Sequence, residues 1–298
     1  MKKSLYLTET FFILSRNDRI RTCDPYHPKV VRYRAALRSV LNNSNLQKRV
    51  SFSNERIFMR TISVYLLFML VTIGTTNAQI FSAQKLLFSV TDDWNSNKAT
   101  MYLFDKTSDG WKKHRLVFSV SIGKNGLGWG EGVHPHQSGE YVKTEGDNRS
   151  PAGVFELDTL FYGLSENAPN GVQIPYLPLT KLTRCVDDEN SSVYNSIVEE
   201  DSLKKDWHSA ERMGAVDPDY KYVLVVKNNP LRMPGKGSCI FIHTVNVPTS
   251  GCTSMDDVDM LSLLRWLDPK KKTVMVQLPH SEYHRLRSEW NLPKLLNN

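Results

Sequence analysis

The chain has 298 residues, 40% hydrophobic and 23% charged, which is typical of a globular protein with one or two domains and excludes a disordered chain or a protein with many membrane spans. The formal net charge is +7, but residues 1–58 contain 12 Lys and Arg against 4 Asp and Glu, so the remainder is almost neutral. Because a nucleic-acid-binding domain needs a basic patch of its own, the charge distribution argues against a nucleic-acid partner.

Residues 59–78 have the layout of a secretory signal peptide. A positive start at Met59 and Arg60 precedes an apolar run at 62–73, and small residues end at Ala78, where cleavage is predicted. The apolar run is too short to span a bilayer comfortably, so we predict no integral membrane span in the mature protein. Residues 1–58 are then a doubtful leader produced by a start codon assigned too early. The alternative is a genuine cytoplasmic arm with a signal anchor.

Short alternating segments after the signal peptide predict a mainly β protein. The predicted strands are 85–91, 100–104, 111–122, 154–157, 220–226, 239–243 and 273–278. The glycine-rich stretch at 123–132 predicts turns, because no helical pattern follows it. Residues 160–219 form a long polar segment of the kind that makes lids or binding loops. The basic, polar end at 281–298 is predicted to be a C-terminal tail.

Two pairs of polar residues suggest functional sites, but the sequence favours neither site. His134 and His136 are close enough in sequence to suggest a metal site, but without a clear third ligand a hydrogen-bonded surface loop is favoured. Asp187 and Asp188 suggest the carboxylates of a glycoside hydrolase. Adjacent residues of a strand point to opposite faces, so they make a poor acid/base pair.

The most informative stretch joins a buried strand to a helix. The apolar run Cys239 to Ile242 predicts an interior strand that ends at His243, and Cys252 follows after a loop marked by proline and glycine. Helical spacing of apolar residues then predicts a helix over 256–267, with Ser254 and Asp257 as a capping pair.

This arrangement predicts an activated thiol. A cysteine close to a helix N-terminus has a lowered pKa, and a strand-end imidazole nearby can take its proton. Backbone N–H groups around Gly251, Cys252 and Thr253 can stabilise an oxyanion. The alternative is a buried thiol beside a satisfied core histidine.

The cysteine count adds a constraint. Cys23 lies in the doubtful leader, so an exported chain keeps Cys185, Cys239 and Cys252, and an odd number leaves one thiol over. A Cys185–Cys239 disulfide with a free Cys252 is one arrangement that the sequence allows, although spacing alone does not establish it.

At this point the chain resembles a known family. Ile242-His243-Thr244 followed by Thr249-Ser250-Gly251-Cys252-Thr253 resembles the signature of L,D-transpeptidase catalytic domains of the YkuD type. The run 149–155 is similar to the family's Thr/Ser-Pro-x-Gly-x-Phe entry to a strand. Residues 143–147 and 185–188 are similar to a subgroup found in Gram-negative envelopes. The resemblance covers about 81–280.

The resemblance implies a fold, a place and a reaction. The fold is a β-sandwich-like catalytic domain over 81–280, with one helix after the catalytic cysteine. The implied protein is an exported periplasmic or envelope enzyme that acts on peptidoglycan stem peptides, in cell-wall biogenesis and cell shape. Its cysteine forms a thioester with one stem and passes it to the amine of a second, giving a 3-3 cross-link, or to another acceptor. No metal or cofactor is implied.

Residue roles follow from the same resemblance. Cys252 is the expected nucleophile, His243 the base, and Gly251 shapes the oxyanion site. Thr244, which could also orient the His243 ring, Ser250 and Thr253 are the expected substrate-binding residues. The charged turn before residue 150 adds Arg149 independently of the resemblance: either Arg149 or Lys143 contacts an anionic group of the substrate, or they form ion pairs that hold the turn. Ser250 stands where many members have a second histidine, and Ser254 stands where Asn or Arg is frequent. These departures leave the acceptor open, so the alternatives are an L,D-carboxypeptidase or similar cysteine hydrolase of wall peptides, and an inactive wall-binding module.

Overall fold

The computed structural model of the protein describes residues 82–214 and 218–295. The predicted leader at 1–58 and the predicted signal peptide at 59–78 lie outside these residues. Among the described residues, neither α-helix has the length and apolar character needed to cross a bilayer.

The described residues form a mainly β fold with thirteen strands and two α-helices, which confirms the predicted fold class. The strands are β1 Lys85–Thr91, β2 Lys98–Thr107, β3 Gly110–Ser121, β4 Leu127–Trp129, β5 Ser150–Gly163, β6 Tyr176–Pro178, β7 Thr183–Val186, β8 Ser196–Glu199, β9 Ala210–Arg212, β10 Tyr222–Val226, β11 Phe241–His243, β12 Thr253–Ser254 and β13 Thr273–Pro279. The helices are α1 Asp257–Trp266 and α2 His280–Leu286.

The main sheet curls until its ends meet. Its strand order is β10-β11-β12-β3-β2-β1-β13-β5, and β5 also pairs with β10, so the hydrogen-bonded path closes. Side chains on the inner face therefore meet in one core, where Phe88, Leu103 and Phe155 are almost fully buried. Helix α1 adds Met260, Leu263 and Leu264, the buried stripe that its spacing predicts.

The start of α1 differs from the prediction. The N-cap is Asp256, which makes no side-chain cap hydrogen bond. Ser254 belongs to β12, and its hydroxyl donates to the Val247 carbonyl at 2.7 Å, so the predicted capping pair is wrong. Because β12 separates Cys252 from the helix, the cysteine does not sit at a helix N-terminus.

The polar segment 160–219 contains more structure than its sequence predicts. It carries β6 and a separate three-stranded antiparallel sheet with the order β8-β7-β9, which we call the insert sheet. These strands have only three or four residues, too few for a clear alternation. A disulfide between Cys185 of β7 and Cys239 joins the insert sheet to the approach to β11, and Cys252 is free.

The C-terminal residues belong to the core, whereas the sequence predicts a tail over 281–298. Helix α2 packs against β1 and β13, and Trp290, Leu292 and Leu295 are buried beyond it. The apolar residues here are spaced irregularly, so the amphipathic signal is weak although the burial is strong.

His134 has a packing role. Its ring accepts a hydrogen bond from the Val154 N–H at 3.0 Å, and burial lowers its pKa to about 4. The ring covers Gly153, where a β-carbon would lie 2.0 Å from His134 Cε1. Glycine is therefore required in the run 149–155 because an imidazole occupies the space above it. Among the described residues, no three His, Cys, Asp or Glu side chains are grouped to hold a metal.

Candidate active site

A cavity of about 380 Å3 opens beside the end of β11, and both Cys252 and His243 line it. Its walls come from four parts of the chain: Lys124 in the glycine-rich stretch, the turn at 143–146, the stretch 238–252, and residues Asp187, Glu211, Asp219 and Tyr220 in or near the insert sheet. The stretch predicted to carry the chemistry and the segment predicted to form binding loops thus meet at one site.

Pairing of β11 with β12 places Cys252 beside the strand that carries His243. The two strands run parallel, with Ile242 opposite Thr253 and His243 opposite Ser254. The loop between them returns the chain to the same edge, so Cys252 comes next to the residues of β11. The Met255 N–H donates to the His243 carbonyl at 3.1 Å and holds the same edge.

The Cys252 sulfur is held by two backbone groups. The Phe241 N–H donates to Sγ at 3.2 Å, and Sγ in turn donates to the Cys239 carbonyl at 3.4 Å. Although Cys252 is partly exposed, its side chain packs against the apolar cluster of Cys239 and Phe241. The thiol therefore has a fixed direction and a partly apolar surrounding.

The pKa of the Cys252 thiol is raised, so the predicted lowering is wrong. Burial is the main cause and the carboxylate of Glu211 adds to it, whereas the Phe241 N–H and the Lys143 ammonium oppose it. The lowered pKa was expected because the sequence places a helix N-terminus close to Cys252. In the structure β12 lies between Cys252 and that helix, so the positive end of the helix dipole is not beside the thiol. A thiol that stays protonated at rest needs a base to become a nucleophile.

The His243 ring, which lines the same cavity, is oriented by the backbone. Its Nδ1 lies 2.6 Å from the Thr244 carbonyl oxygen. Because a carbonyl only accepts, Nδ1 carries a proton, so in a neutral ring Nε2 is the nitrogen that can accept one. The ring is thus held in one tautomer by the backbone of the next residue.

Two hydroxyls hold the backbone of Cys252. The Cys252 carbonyl accepts from Ser150 Oγ at 2.8 Å and from Thr249 Oγ1 at 2.6 Å. Ser150 also accepts from the Gly123 N–H at 2.8 Å, so the glycine-rich stretch supports the same point. Neither hydroxyl has a predicted role, although both lie inside the motifs that carry the family resemblance.

Gly251 lines the cavity, but its amide is already engaged. The Gly251 N–H donates to Thr249 Oγ1 at 3.1 Å, so the amide of Cys252 is the better candidate for the oxyanion donor. A β-carbon at Gly251 would lie 3.2 Å from the Arg149 carbonyl oxygen, which explains the glycine before the cysteine.

Ser250 alone of the four predicted substrate-binding residues lines the cavity, where it is exposed. Thr244 is buried, and its hydroxyl lies 2.6 Å from the Pro218 carbonyl. Thr253 is buried and donates to Gln277 Oε1 at 3.1 Å. Because both hydroxyls are spent inside the fold, the assignment of Thr244 and Thr253 to substrate binding is corrected. Thr244 still orients the catalytic candidate through its carbonyl.

Arg149 is also a structural residue. Its guanidinium donates to the carbonyls of Trp94 at 3.0 Å and Leu127 at 2.8 Å and to Asn95 Oδ1 at 3.0 Å. It also lies over the Tyr141 ring, 4.9 Å from the centroid. These contacts tie loops together, so the predicted contact between Arg149 and an anionic substrate is corrected.

The cavity carries charges of both signs. Lys143, which is buried and pairs with Asp147 at 2.5 Å, and Lys124 are the basic residues of the lining. Glu145, Asp187 and Glu211 are acidic residues of the lining. Burial raises the pKa of Glu211 to about 7, although the Tyr220 hydroxyl, which donates to Glu211 Oε2 at 2.7 Å, opposes the shift. Glu211 lies in a three-residue strand outside any motif, so no sequence signal marks it.

Comparisons with known proteins bear on this site. The family model of YkuD, described as the L,D-transpeptidase catalytic domain, matches residues 93–276. The crystal structure of the helical cell shape determining protein Pgp2 from Campylobacter jejuni aligns with 13% identity and a TM-score of 0.32, covering 70% of this chain and 54% of that one. This chain therefore spans about half the length of that structure. A search of curated proteins gave no significant match. The match to the family model covers more than half of the chain, which therefore belongs to the YkuD family of L,D-transpeptidase catalytic domains.

Proposed function

We propose that this protein is a peptidoglycan L,D-transpeptidase that forms 3-3 cross-links through a thioester on Cys252. The observation that carries the proposal is the shared cavity of Cys252 and His243, in which the Thr244 carbonyl leaves His243 Nε2 as the basic nitrogen. Membership of the family supplies the reaction class, L,D-transpeptidase-type chemistry on cell-wall peptides.

The acylation step uses the groups of the cavity in order. His243 Nε2 takes the proton from Cys252 Sγ, and the thiolate attacks the carbonyl that precedes the terminal D-Ala of a tetrapeptide stem. The Cys252 amide stabilises the tetrahedral oxyanion. The C–N bond then breaks, His243 returns the proton to the amine of the departing D-Ala, and a thioester remains.

The second step transfers the acyl group. The side-chain amine of another stem attacks the thioester, His243 takes a proton from that amine, and the C–S bond breaks to give the new amide. The thiol is restored when the proton passes back to sulfur. No oxidant, reductant or further group is consumed.

The mixed charge of the cavity supports a peptide substrate of this kind. A wall stem carries both carboxylate and ammonium groups. Lys124 and Lys143 can favour the former, and Glu145, Asp187 and Glu211 the latter. Ser250 offers an exposed hydroxyl on the same wall.

We further propose that the protein acts in the periplasm or cell envelope after cleavage behind Ala78, because its substrate lies there and residues 59–78 read as a signal peptide. Amino-terminal sequencing of the exported protein tests this. A mature protein that starts upstream of Met59 would contradict it.

Incubation with a disaccharide tetrapeptide, followed by mass spectrometry of the products, tests the proposed reaction. We expect a cross-linked dimer and free D-Ala with the wild-type protein and neither with Cys252→Ala. Tripeptide without dimer would instead identify a carboxypeptidase, and binding without turnover would identify an inactive wall-binding module. Ser108→Ala is the control, because it removes an exposed hydroxyl from the turn between β2 and β3, outside the cavity.

A further inference from the structure

The contacts that direct the Cys252 sulfur both come from one short segment, Cys239 to Phe241. The Cys239 carbonyl accepts from Sγ at 3.4 Å, and the Phe241 N–H donates to Sγ at 3.2 Å. Cys239 has a positive φ of 54°, a conformation that is strained for a residue with a β-carbon. A segment in this conformation persists only where its surroundings hold it.

Two attachments hold this segment. The first is the disulfide from Cys239 to Cys185, which is buried in the central strand β7 of the insert sheet. The second is Asn195, whose Oδ1 accepts from the Cys239 N–H at 3.0 Å. The Asn195 amide nitrogen donates at 3.0 Å to the carbonyls of Asn228 and Asn229, so Asn195 is itself fixed.

The same disulfide also fixes the acidic wall of the cavity. Strand β7 pairs with β9, and Cys185 lies opposite Glu211 in that pairing. Glu211 lines the cavity that contains Cys252. One covalent link therefore joins β7, the strand to which the Glu211 strand is hydrogen-bonded, to the segment that directs the sulfur.

We propose that the Cys185–Cys239 disulfide, with Asn195, positions the nucleophile: it holds the Cys239–Phe241 segment against Cys252 Sγ, so that breaking it lowers the reactivity of the thiol. The residues act through Cys252 and touch no reacting atom of the substrate. The inference deepens the proposed function and rests on it for its meaning, but its main test needs no substrate.

The test measures alkylation of Cys252 by iodoacetamide as a function of pH, followed by mass spectrometry of the Cys252 peptide. In Cys185→Ala/Cys239→Ala the Cys239–Phe241 segment is no longer held by the disulfide. The Cys252 thiolate then loses the hydrogen bond that it accepts from the Phe241 N–H. We therefore expect alkylation near neutral pH to slow about tenfold and the pH profile to move to higher pH. Asn195→Ala removes the second attachment and should give a smaller change in the same direction.

A control separates positioning from general loss of stability. Asp105→Asn breaks the ion pair between Lys85 and Asp105, 2.7 Å long, in the β1–β2 region outside the cavity. It should lower the melting temperature and leave the alkylation profile unchanged. A folded Cys185→Ala/Cys239→Ala protein with the wild-type profile would overturn the proposal.

If the double variant does not fold, Asn195→Ala decides, and a wild-type profile there would equally overturn the proposal. Product analysis with a tetrapeptide remains a separate readout. A wild-type protein that alkylates as expected but forms no cross-link would refute the proposed function and leave this inference standing.

Discussion

Glu211→Gln should make the protein more stable at alkaline pH. Burial raises the pKa of Glu211 from its ordinary value of 4.5 to about 7. Between these values the folded protein keeps a proton that the unfolded chain releases, so this group destabilises the fold as pH rises through the window. The shift corresponds to about 3 kcal/mol at most, and the partial exposure of Glu211 reduces it to about 2 kcal/mol.

His134 works in the opposite direction over an overlapping range. Its pKa is lowered from 6.5 to about 4, so the unfolded chain binds a proton that the folded state refuses. Stability from this group is complete above pH 6.5 and is lost as pH falls towards 4. The two slopes oppose each other in the wild-type protein, and only the difference between variant and wild type isolates Glu211.

Urea denaturation of both proteins at intervals from pH 4 to 8 measures that difference. We expect the free energies of unfolding to converge near pH 4 and the variant to exceed the wild type by about 2 kcal/mol at pH 8. Gln keeps an acceptor for the Tyr220 hydroxyl, so that hydrogen bond is retained. A constant difference at every pH would refute the reasoning, because it would mean that Glu211 does not titrate differently in the two states.

Three further substitutions test the site and its support. Ser150→Ala should slow turnover about tenfold, because the Cys252 carbonyl loses one of its two hydroxyl donors and the Gly123 N–H loses its acceptor. The control is Thr249→Ser, which keeps the other hydroxyl; equal turnover rates in the Ser150→Ala and Thr249→Ser variants would contradict the supporting role of Ser150. Gly153→Ala should cost about 3 kcal/mol or more in thermal unfolding, because its β-carbon meets the His134 ring; an unchanged melting temperature would contradict this. Arg149→Ala should lower the melting temperature and leave KM for the tetrapeptide unchanged, whereas a raised KM in a stable variant would restore its predicted contact with substrate.

The sequence predicts the centre of the site because that information is local. An apolar run that ends at His243, a loop, a glycine and Cys252 determine which residues meet once β11 and β12 pair. The stripe of α1 is likewise visible in the spacing of Met260, Leu263 and Leu264.

The remaining features depend on contacts between distant parts of the chain. Thr253 looks like a residue of the catalytic turn, yet its hydroxyl points to Gln277 in β13. Arg149 looks like an anion ligand, yet it meets carbonyls from loops that precede it by many residues. Glu211 becomes part of the site only because β9 pairs with β7 and the disulfide holds β7 beside the cavity.

The lowered pKa expected for Cys252 fails for a similar reason. The sequence shows a helix soon after the cysteine, but two residues of strand between them depend on pairing with β11. Pairing of this length has no sequence signal of its own. In the proposed mechanism the thiol is therefore activated by His243 and not by a helix dipole.

The most direct test is the intact mass of the protein during incubation with a disaccharide tetrapeptide whose side-chain amine is acetylated, so that it can donate an acyl group but cannot accept one. The account predicts a covalent adduct equal in mass to the whole substrate, disaccharide included, minus its terminal D-Ala. The adduct is located on the Cys252 peptide, forms far more slowly in His243→Ala and is absent in Cys252→Ala. Turnover by Cys252→Ala, or an adduct on another residue, would contradict it.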